Sequence, residues 1–515
     1  MKLSYKISVF VLLAISFLSN IGCTDKLEEP ELNNNFAGGT DFTKTADMQL
    51  SIVGVYEAFQ SRGWEQPLLI SVRGDDVNAG GLGDQQDFAE TDKFTYNKDY
   101  WMYNSLWENT YVDVISAHTA MEQIARYQEF ANESGVALGN QYIAEAKVLR
   151  GIMLFHISLV WGDVFIPESS NTDLLLDVTQ IPTKAEVMQH ISDQMDEAIP
   201  FLPNLRPNER TDLPGGVTRY TALAIKALAN QELKNYQVVA DAAGQIISSG
   251  KFTLYPDFYE QFKTPGKLSD ETILDLQYSD YNQGEGDRSA HLYAPYGPQN
   301  WTPEVAGSGS GWGFFEPSMK FIKFMLDRGE TVRLETSVLF TDRGIAEIKT
   351  DPAYATLPSF ITNTTRDGDV INDYPRALFA SGKHYLPSNQ LIPGRTDYGS
   401  NKNYNVIRYA EILLVYAEAL AQGATGMGMT ADQVVNLVRV RANMTPLSGV
   451  TLDQVLDEKF AELSMEWGKR YYDMIRLGRF NELSYDGRTF SENNTFLPYP
   501  QSQVDQFPIL GEINN

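Results

Sequence analysis

Cysteine is almost absent: of 515 residues one is cysteine, Cys23. A single thiol cannot build a disulfide framework or a CxxC zinc site. The five histidines, at 118, 156, 190, 291 and 384, form neither an HExxH motif nor a close pair. No histidine-based metal site is therefore expected, and nothing else in the chain asks for a cofactor. Positive charge is scarce: 41 Lys and Arg stand against 67 Asp and Glu, for a net charge of −26. The acids are spread along the chain rather than gathered in a tail. Such a balance repels nucleic acid and anionic membrane surfaces. Beyond the N-terminus, no apolar run is long enough to span a bilayer.

Hydrolase signatures are missing too. There is no GxSxG elbow, and Gly307 to Gly311 is a linker-like GSGSG. Asp75, Asp76, Glu304 and Glu316 could supply carboxylates for glycoside cleavage. Acids are so common here that solvated or structural roles are the better reading. Asp367-Gly368-Asp369, with Asn372 and Asp373, lacks the spacing of a calcium loop and reads as a turn. The RGD at 73–75 is too short to carry an integrin reading.

What is present begins with a targeting segment, residues 1–22. Lys2 and Lys6 precede an apolar stretch from Ile7 to Leu18, and Asn20-Ile21-Gly22-Cys23 follows. A small residue directly before the lone cysteine, just after the apolar stretch, fits a bacterial lipoprotein cleavage site. The alternative is a secretory signal beside an incidental cysteine. Acylation of Cys23 would anchor the chain, since each buried CH₂ contributes roughly 0.8 kcal/mol. Residues 23–44 are polar, with Pro, Gly and an Asn run, and read as a tether.

From Thr45 helical spacing takes over. Helices are expected from about Asp47 to Gln60 and over Trp101–Tyr127, Gln141–Trp161, Thr183–Leu202, Thr218–Leu233 and Tyr236–Ser248. Thr183 with Glu186 has the form of a capping box. Small residues line the last pair, which resembles a tetratricopeptide unit. Residues 252–400 turn loop-rich, with strand-like runs such as ETILDLQYS and a short helix over Glu316–Arg328. Asn403–Gly423, apolar on almost every face, is expected to be a buried central helix. Its Arg408, Glu411 and Glu418 should share a face as a paired polar seam, because buried charges are normally paired. Thr430–Ala442, Thr451–Trp467 and Arg470–Leu477 follow as helices, then an extended Pro-rich tail. The expected fold is mostly α: a tetratricopeptide-like helical scaffold (about 45–250 and 401–515) with a loop-rich, partly β insertion (about 251–400).

Five segments, in order, resemble the SusD/RagB family of nutrient-binding lipoproteins. They are Gly22-Cys23 with Asp25 and Leu27-Glu28; EAKVLRGIMLFHISLVWGDVFIP; NYNVIRYAEILLVYAEAL with VNLVRVRANM; EKFAELSMEWGKRYYDMIRLG; and FLPYPQSQVDQFP. The chain departs from the pattern in three places. Lys459 stands where Arg is common, EWGKR is one residue longer than usual, and the tail lacks the closing Asn-Pro. The resemblance implies a tetratricopeptide-like fold at the outer-membrane surface. It also implies a SusC-like TonB-dependent transporter as partner, and capture of a glycan, or sometimes a peptide, for delivery into it. The matched motifs are scaffold, so they carry over no ligand residue.

Composition points the same way. Glycans offer apolar C–H faces ringed by hydroxyls, which suit flat aromatics edged by Asp, Asn and Arg. The chain holds 27 Tyr, 26 Phe and 7 Trp, and Tyr and Trp join an apolar face to a polar edge. The loops at 64–101 and 278–315 supply both residue types. Candidate ligand residues are Arg73, Asp75, Asp76, Trp101, Tyr293, Tyr296, Asn300, Trp301 and Trp312. The competing reading places the tryptophans in the helical core or against the transporter. The expected function is non-catalytic glycan binding. Peptide binding beside a transporter, or glycoside hydrolysis, are the alternatives.

Overall fold

The computed structural model describes residues 40–79, 84–171, 178–278, 293–391 and 400–513. The targeting segment, Cys23 and the tether up to residue 39 lie outside the described residues, as does Tyr281 of the aromatic loop.

The helices include α1 (Met48–Gln60), α2 (Glu65–Ser71), α3 (Gln86–Asp92), α4 (Trp101–Gln128) and α5 (Glu133–Trp161), and three short helices lie in the insertion at Phe258–Gln261, Val332–Ser337 and Asp342–Ile348. Then come α6 (Lys184–Ala198), α7 (Arg219–Glu232), α8 (Tyr236–Ser248) and α9 (Met319–Asp327). The C-terminal set is α10 (Tyr409–Ala421), α11 (Ala431–Arg441), α12 (Leu452–Leu463), α13 (Lys469–Arg476) and α14 (Gln501–Gln506). They stack in succession: α4 on α5, α5 on α6, α6 on α7, α7 on α8, α8 on α10, and α10 on α11 and α12. Each helix buries one stripe against its predecessor and another against its successor, as stacked helical pairs must. The caps agree with the sequence. Thr183 accepts from the Glu186 N–H at 3.3 Å, and Glu186 accepts from the Thr183 N–H at 2.8 Å. Thr430 with Gln433 and Thr451 with Gln454 repeat the box at α11 and α12.

The central segment divides where one helix was expected. Its first residues form strand β8 (Tyr404–Arg408), paired antiparallel with β2 (Thr272–Leu276). Tyr404, Val406 and Ile407 are residues that favour a pleated surface, and pairing with β2 overrides the helical pattern. The helix proper begins at Tyr409, and every residue from Tyr409 to Ala419 is buried, as its all-round apolar pattern requires. Arg408 therefore caps a strand and does not share the helix face of Glu411 and Glu418. All three charges are nonetheless paired. Arg408 meets Glu462 at 3.1 Å and Glu466 at 2.8 Å. Glu411 pairs with Lys469. Glu418 pairs with Lys459 at 2.9 Å and Arg476 at 2.6 Å.

The Arg408 cluster extends into the insertion. Arg333, completely buried, meets Glu458 at 2.7 Å and Glu462 at 3.5 Å. Arg439 and Arg328 also reach Glu458, each at 2.7 Å. Lys383 reaches Glu466 at 2.7 Å. This buried network fixes the insertion onto α10–α12 by charge placement. Its net worth is modest, because desolvation offsets most of the attraction, whereas removing one member is costly.

Three two-stranded antiparallel pairs organise the insertion. They join β1 (Val77–Ala79) to β4 (Phe315–Pro317), β3 (Trp301–Thr302) to β6 (Val370–Ile371), and β5 (Val338–Phe340) to β7 (Phe379–Ser381). The first pair ties the N-terminal helices to the aromatic loop. Two expectations fail locally. The stretch after Trp64 is helical at α2 and α3 rather than loop throughout, and the tail contains α14 and a 3-10 turn over Pro508–Glu512. Among the described residues no helix is long and apolar enough to cross a membrane.

Candidate functional site

Three tryptophans from separate segments meet at one surface. Trp64 stands directly before α2, Trp101 is the first residue of α4, and Trp312 lies in the aromatic loop. The ring centroid of Trp64 lies 6.0 Å from that of Trp101 and 5.6 Å, edge to face, from that of Trp312. Phe314 adds contacts at 5.9 Å to Trp64 and 5.6 Å to Trp312. Phe88 of α3 underpins the group, 6.3 Å from Trp101 and 5.8 Å from Phe315. Trp101, at the first position of α4, stays 47% exposed. Trp64 and Trp312 are half-buried.

Backbone hydrogen bonds hold Trp312 in place. The N–H groups of Gly311, Trp312, Gly313 and Phe314 donate to Pro298, Ala294, Gly297 and Pro295 at 2.8, 2.6, 3.0 and 2.8 Å. A Cβ on Gly311 would stand 2.4 Å from the Gly297 carbonyl carbon, so only glycine fits there. The end of the GSGSG run is thus a pinned turn and not a free linker.

Polar groups border the rings. The Arg376 guanidinium lies 4.3 Å above Phe314 and is bidentate to Asp84, with one contact at 2.6 Å. That hydrogen bond lowers the Asp84 carboxyl below its usual range. Glu90 accepts from the hydroxyl of Tyr100, the residue next to Trp101.

Of the residues proposed from sequence, Trp101 and Trp312 join this platform. Arg73, Asp75 and Asp76 do not, because all three side chains are spent inside the fold. Arg73 is completely buried, 4.4 Å above the Tyr471 ring, and donates to Tyr471 and Tyr472 at 3.3 Å each. Asp75 is held by Arg470 at 2.8 Å and Lys320 at 2.8 Å. Asp76 accepts the Met465 N–H at 2.6 Å, and burial pushes its carboxyl up to about 6. Tyr293 and Tyr296 are buried as well. Tyr293 donates to the Asn403 carbonyl, and Tyr296 stacks on His384 at 3.7 Å. Trp301 is buried in β3, edge-on to Tyr385 at 6.1 Å. Asn300 is exposed and belongs to a turn, donating to the Asp373 carbonyl at 2.9 Å. Sequence reading placed Trp64 and Phe314 in the aromatic-bearing loops without selecting them as ligand residues, and did not single out Phe88, Asp84 or Arg376. A tryptophan at a helix start, directly before α2 as Trp101 opens α4, was the available signal.

The acids considered for hydrolysis do not share a cleft. Asp75 and Asp76 are buried as described. Glu316 accepts the N–H groups of Leu378 and Phe379 at 2.7 and 3.0 Å, and burial pushes it up to about 7. Glu304 is exposed. Asp369, of the loop weighed for calcium, is fully buried and accepts from Tyr385 and Ser388. No metal-holding cluster occurs among the described residues. A second concavity of about 880 Å³ lies between α4 and the C-terminal turns, bordered by Val112, Val178 and Phe507. Its Trp107 and Tyr111 are buried rings that pack against each other with centroids 4.9 Å apart.

The family described as SusD family matches residues 270–510. The family described as starch-binding associating with outer membrane matches residues 40–230. The chain belongs to the SusD/RagB family. Among curated SusD/RagB relatives, SusD-like protein P2 of Formosa agariphila is 26% identical, over 93% of this chain and 92% of its own. A SusD-like protein of Bacteroides ovatus is 22% identical, over 79% of this chain and 80% of its own. Solved SusD-type structures share the fold. Surface glycan-binding protein A from Bacteroides thetaiotaomicron, in complex with laminarihexaose, superposes with a TM-score of 0.70 at 23% identity. That match covers 89% of this chain and 97% of the other. A laminarin-binding SusD-like protein gives 0.73 at 19% identity, covering 90% and 97%.

Proposed function

We propose that this protein captures a glycan on the Trp64–Trp101–Trp312 platform at the cell surface. It then passes the glycan to a SusC-like TonB-dependent transporter, without chemistry of its own. The observation that carries this reading is the convergence of three tryptophans, one of them half exposed, at a rim that holds both hydroxyl-bonding carboxylates and a guanidinium. Such rings cover the C–H face of a sugar, and the exposed Asp84 carboxylate at the rim accepts from its hydroxyls. Family membership supports the outer-membrane setting and the transporter partner, and the glycan-binding names of structural neighbours support the ligand class. Acylation of Cys23 supplies the anchor, with the tether joining it to the folded body.

The test is calorimetric and tryptophan-fluorescence titration of residues 24–515 with a panel of polysaccharides and oligosaccharides. Saturable binding of one glycan, with no reducing sugar released, is expected. Released sugar would restore the hydrolase reading, and a flat panel with binding to a peptide would move the ligand class. Co-purification with the transporter, lost when Cys23→Ser prevents anchoring, checks the surface arrangement.

A further inference from the structure

A paired charge stands beside the platform. The guanidinium stacked on Phe314 is Arg376, and Asp84 already occupies it from both nitrogens. The Asp84 carboxyl is lowered by that bond, so it stays ionised across the physiological range. Asp87 and Glu90 sit on the same short helix as Phe88, and Glu90 is fixed beside Trp101 by the Tyr100 hydroxyl. Asp84 therefore stands at the edge of the rings through Arg376, and Asp87 and Glu90 lie on the helix that supplies Phe88, on a chain whose net charge is −26.

An incoming sulfate or uronate would face this negative border. To gain Arg376 it would have to displace Asp84 from a charge-assisted bidentate pair, one of the stronger hydrogen-bonded arrangements in proteins. A neutral sugar meets no such opposition. Its hydroxyls donate to the free lone pairs of Asp84, whose side chain is 47% exposed, while its C–H face covers the rings.

Resting on the glycan reading above, we infer that the platform selects uncharged glycans and that the Arg376–Asp84 pair is its specificity determinant against anionic ones. Like charges placed together suppress wrong partners more effectively than they strengthen right ones.

The experiment compares neutral probes (laminarin, mannan, xyloglucan) with anionic probes (alginate, dextran sulfate) by calorimetry, on the wild type, Asp84→Asn and Trp101→Ala. At least one neutral glycan should bind, and the anionic polymers should bind at least about tenfold more weakly. Asp84→Asn frees Arg376 and should strengthen binding of the anionic polymers about tenfold, a gain that high salt removes. Should that variant fail to fold, the double change Asp87→Asn, Glu90→Gln carries the same expectation with a smaller gain. Alginate or dextran sulfate bound as tightly as any neutral probe, and lost in Trp101→Ala, overturns the inference while leaving the platform as the glycan site. Unchanged anionic affinity in Asp84→Asn overturns the role of the pair. Binding indifferent to Trp101→Ala, or none at all, overturns the platform itself and the inference with it.

Discussion

Glu466 offers the sharpest test of the buried charge network. Burial by itself would raise its carboxyl, but Arg408 and Lys383 override this and hold it at about 2, against an ordinary value of 4.5. A carboxyl lowered in the folded state contributes stability that is fully present above its unfolded value. That stability is lost as pH falls through the folded one. Here the window runs from 4.5 down to about 2. The shift corresponds to about 3 kcal/mol at neutral pH, of which about 2 kcal/mol is gone by pH 3. The side chain is only 11% exposed, so little of this is screened by solvent. Glu466→Gln cannot ionise, so it forgoes the contribution at every pH. Urea unfolding of both proteins from pH 7 to pH 3 should show a stability gap of about 3 kcal/mol that narrows to about 1 kcal/mol. A gap of constant size across that range would refute the reasoning, because it would mean that the charge on Glu466 does not couple to folding.

The tryptophans give a contrasting pair. Trp101 is 47% exposed, so a sugar can cover about 70–120 Å² of it, worth about 2–3 kcal/mol. Trp101→Ala should therefore weaken glycan binding about 30- to 150-fold by calorimetry while the folded state persists. Trp107 is 2% exposed and packs edge-on to Trp161 at 5.2 Å. Trp107→Ala should cost about 3–5 kcal/mol in chemical denaturation and leave the affinity of the folded fraction unchanged. Gly311→Ala drives a Cβ into the Gly297 backbone and should displace Trp312, lowering glycan affinity together with tryptophan fluorescence change on titration. Thr183→Ala removes the side-chain oxygen of a complete capping box and should cost about 1 kcal/mol of stability, read by urea unfolding, with no effect on binding.

The helices were legible because their signals are local. Periodicity and caps predicted α6, α7, α8 and α11 nearly to the residue. Misreadings arose where a distant partner decides the outcome. Nothing local in Tyr404–Arg408 announces β2, some 130 residues earlier in the chain, so the strand was hidden inside a helical pattern. Arg73, Asp75 and Asp76 sit in a Gly-rich, polar stretch that resembles an exposed loop. Their partners Arg470, Tyr471 and Met465 lie almost 400 residues away, and those contacts bury them. The platform was half legible. Aromatic composition pointed to the loops, but only the fold separates Trp101, 47% exposed, and the half-buried Trp312 from the buried Trp301, Tyr293 and Tyr296.

Those long-range contacts also bear on when the protein becomes functional. Arg73 lies on Tyr471, Asp75 on Arg470 and Asp76 on Met465. The Trp161 indole donates to the Pro498 carbonyl, and the Tyr96 hydroxyl to that of Asn494. The chain between Trp64 and Trp101 is thus held by residues near the far end of the chain. Contacts so remote in sequence make folding slow, since the loop they close must be ordered before it is rewarded. An N-terminal fragment can form its helices as it emerges, but it cannot finish the aromatic surface. The segment between Trp64 and Trp101 therefore settles only after the C-terminal residues have arrived.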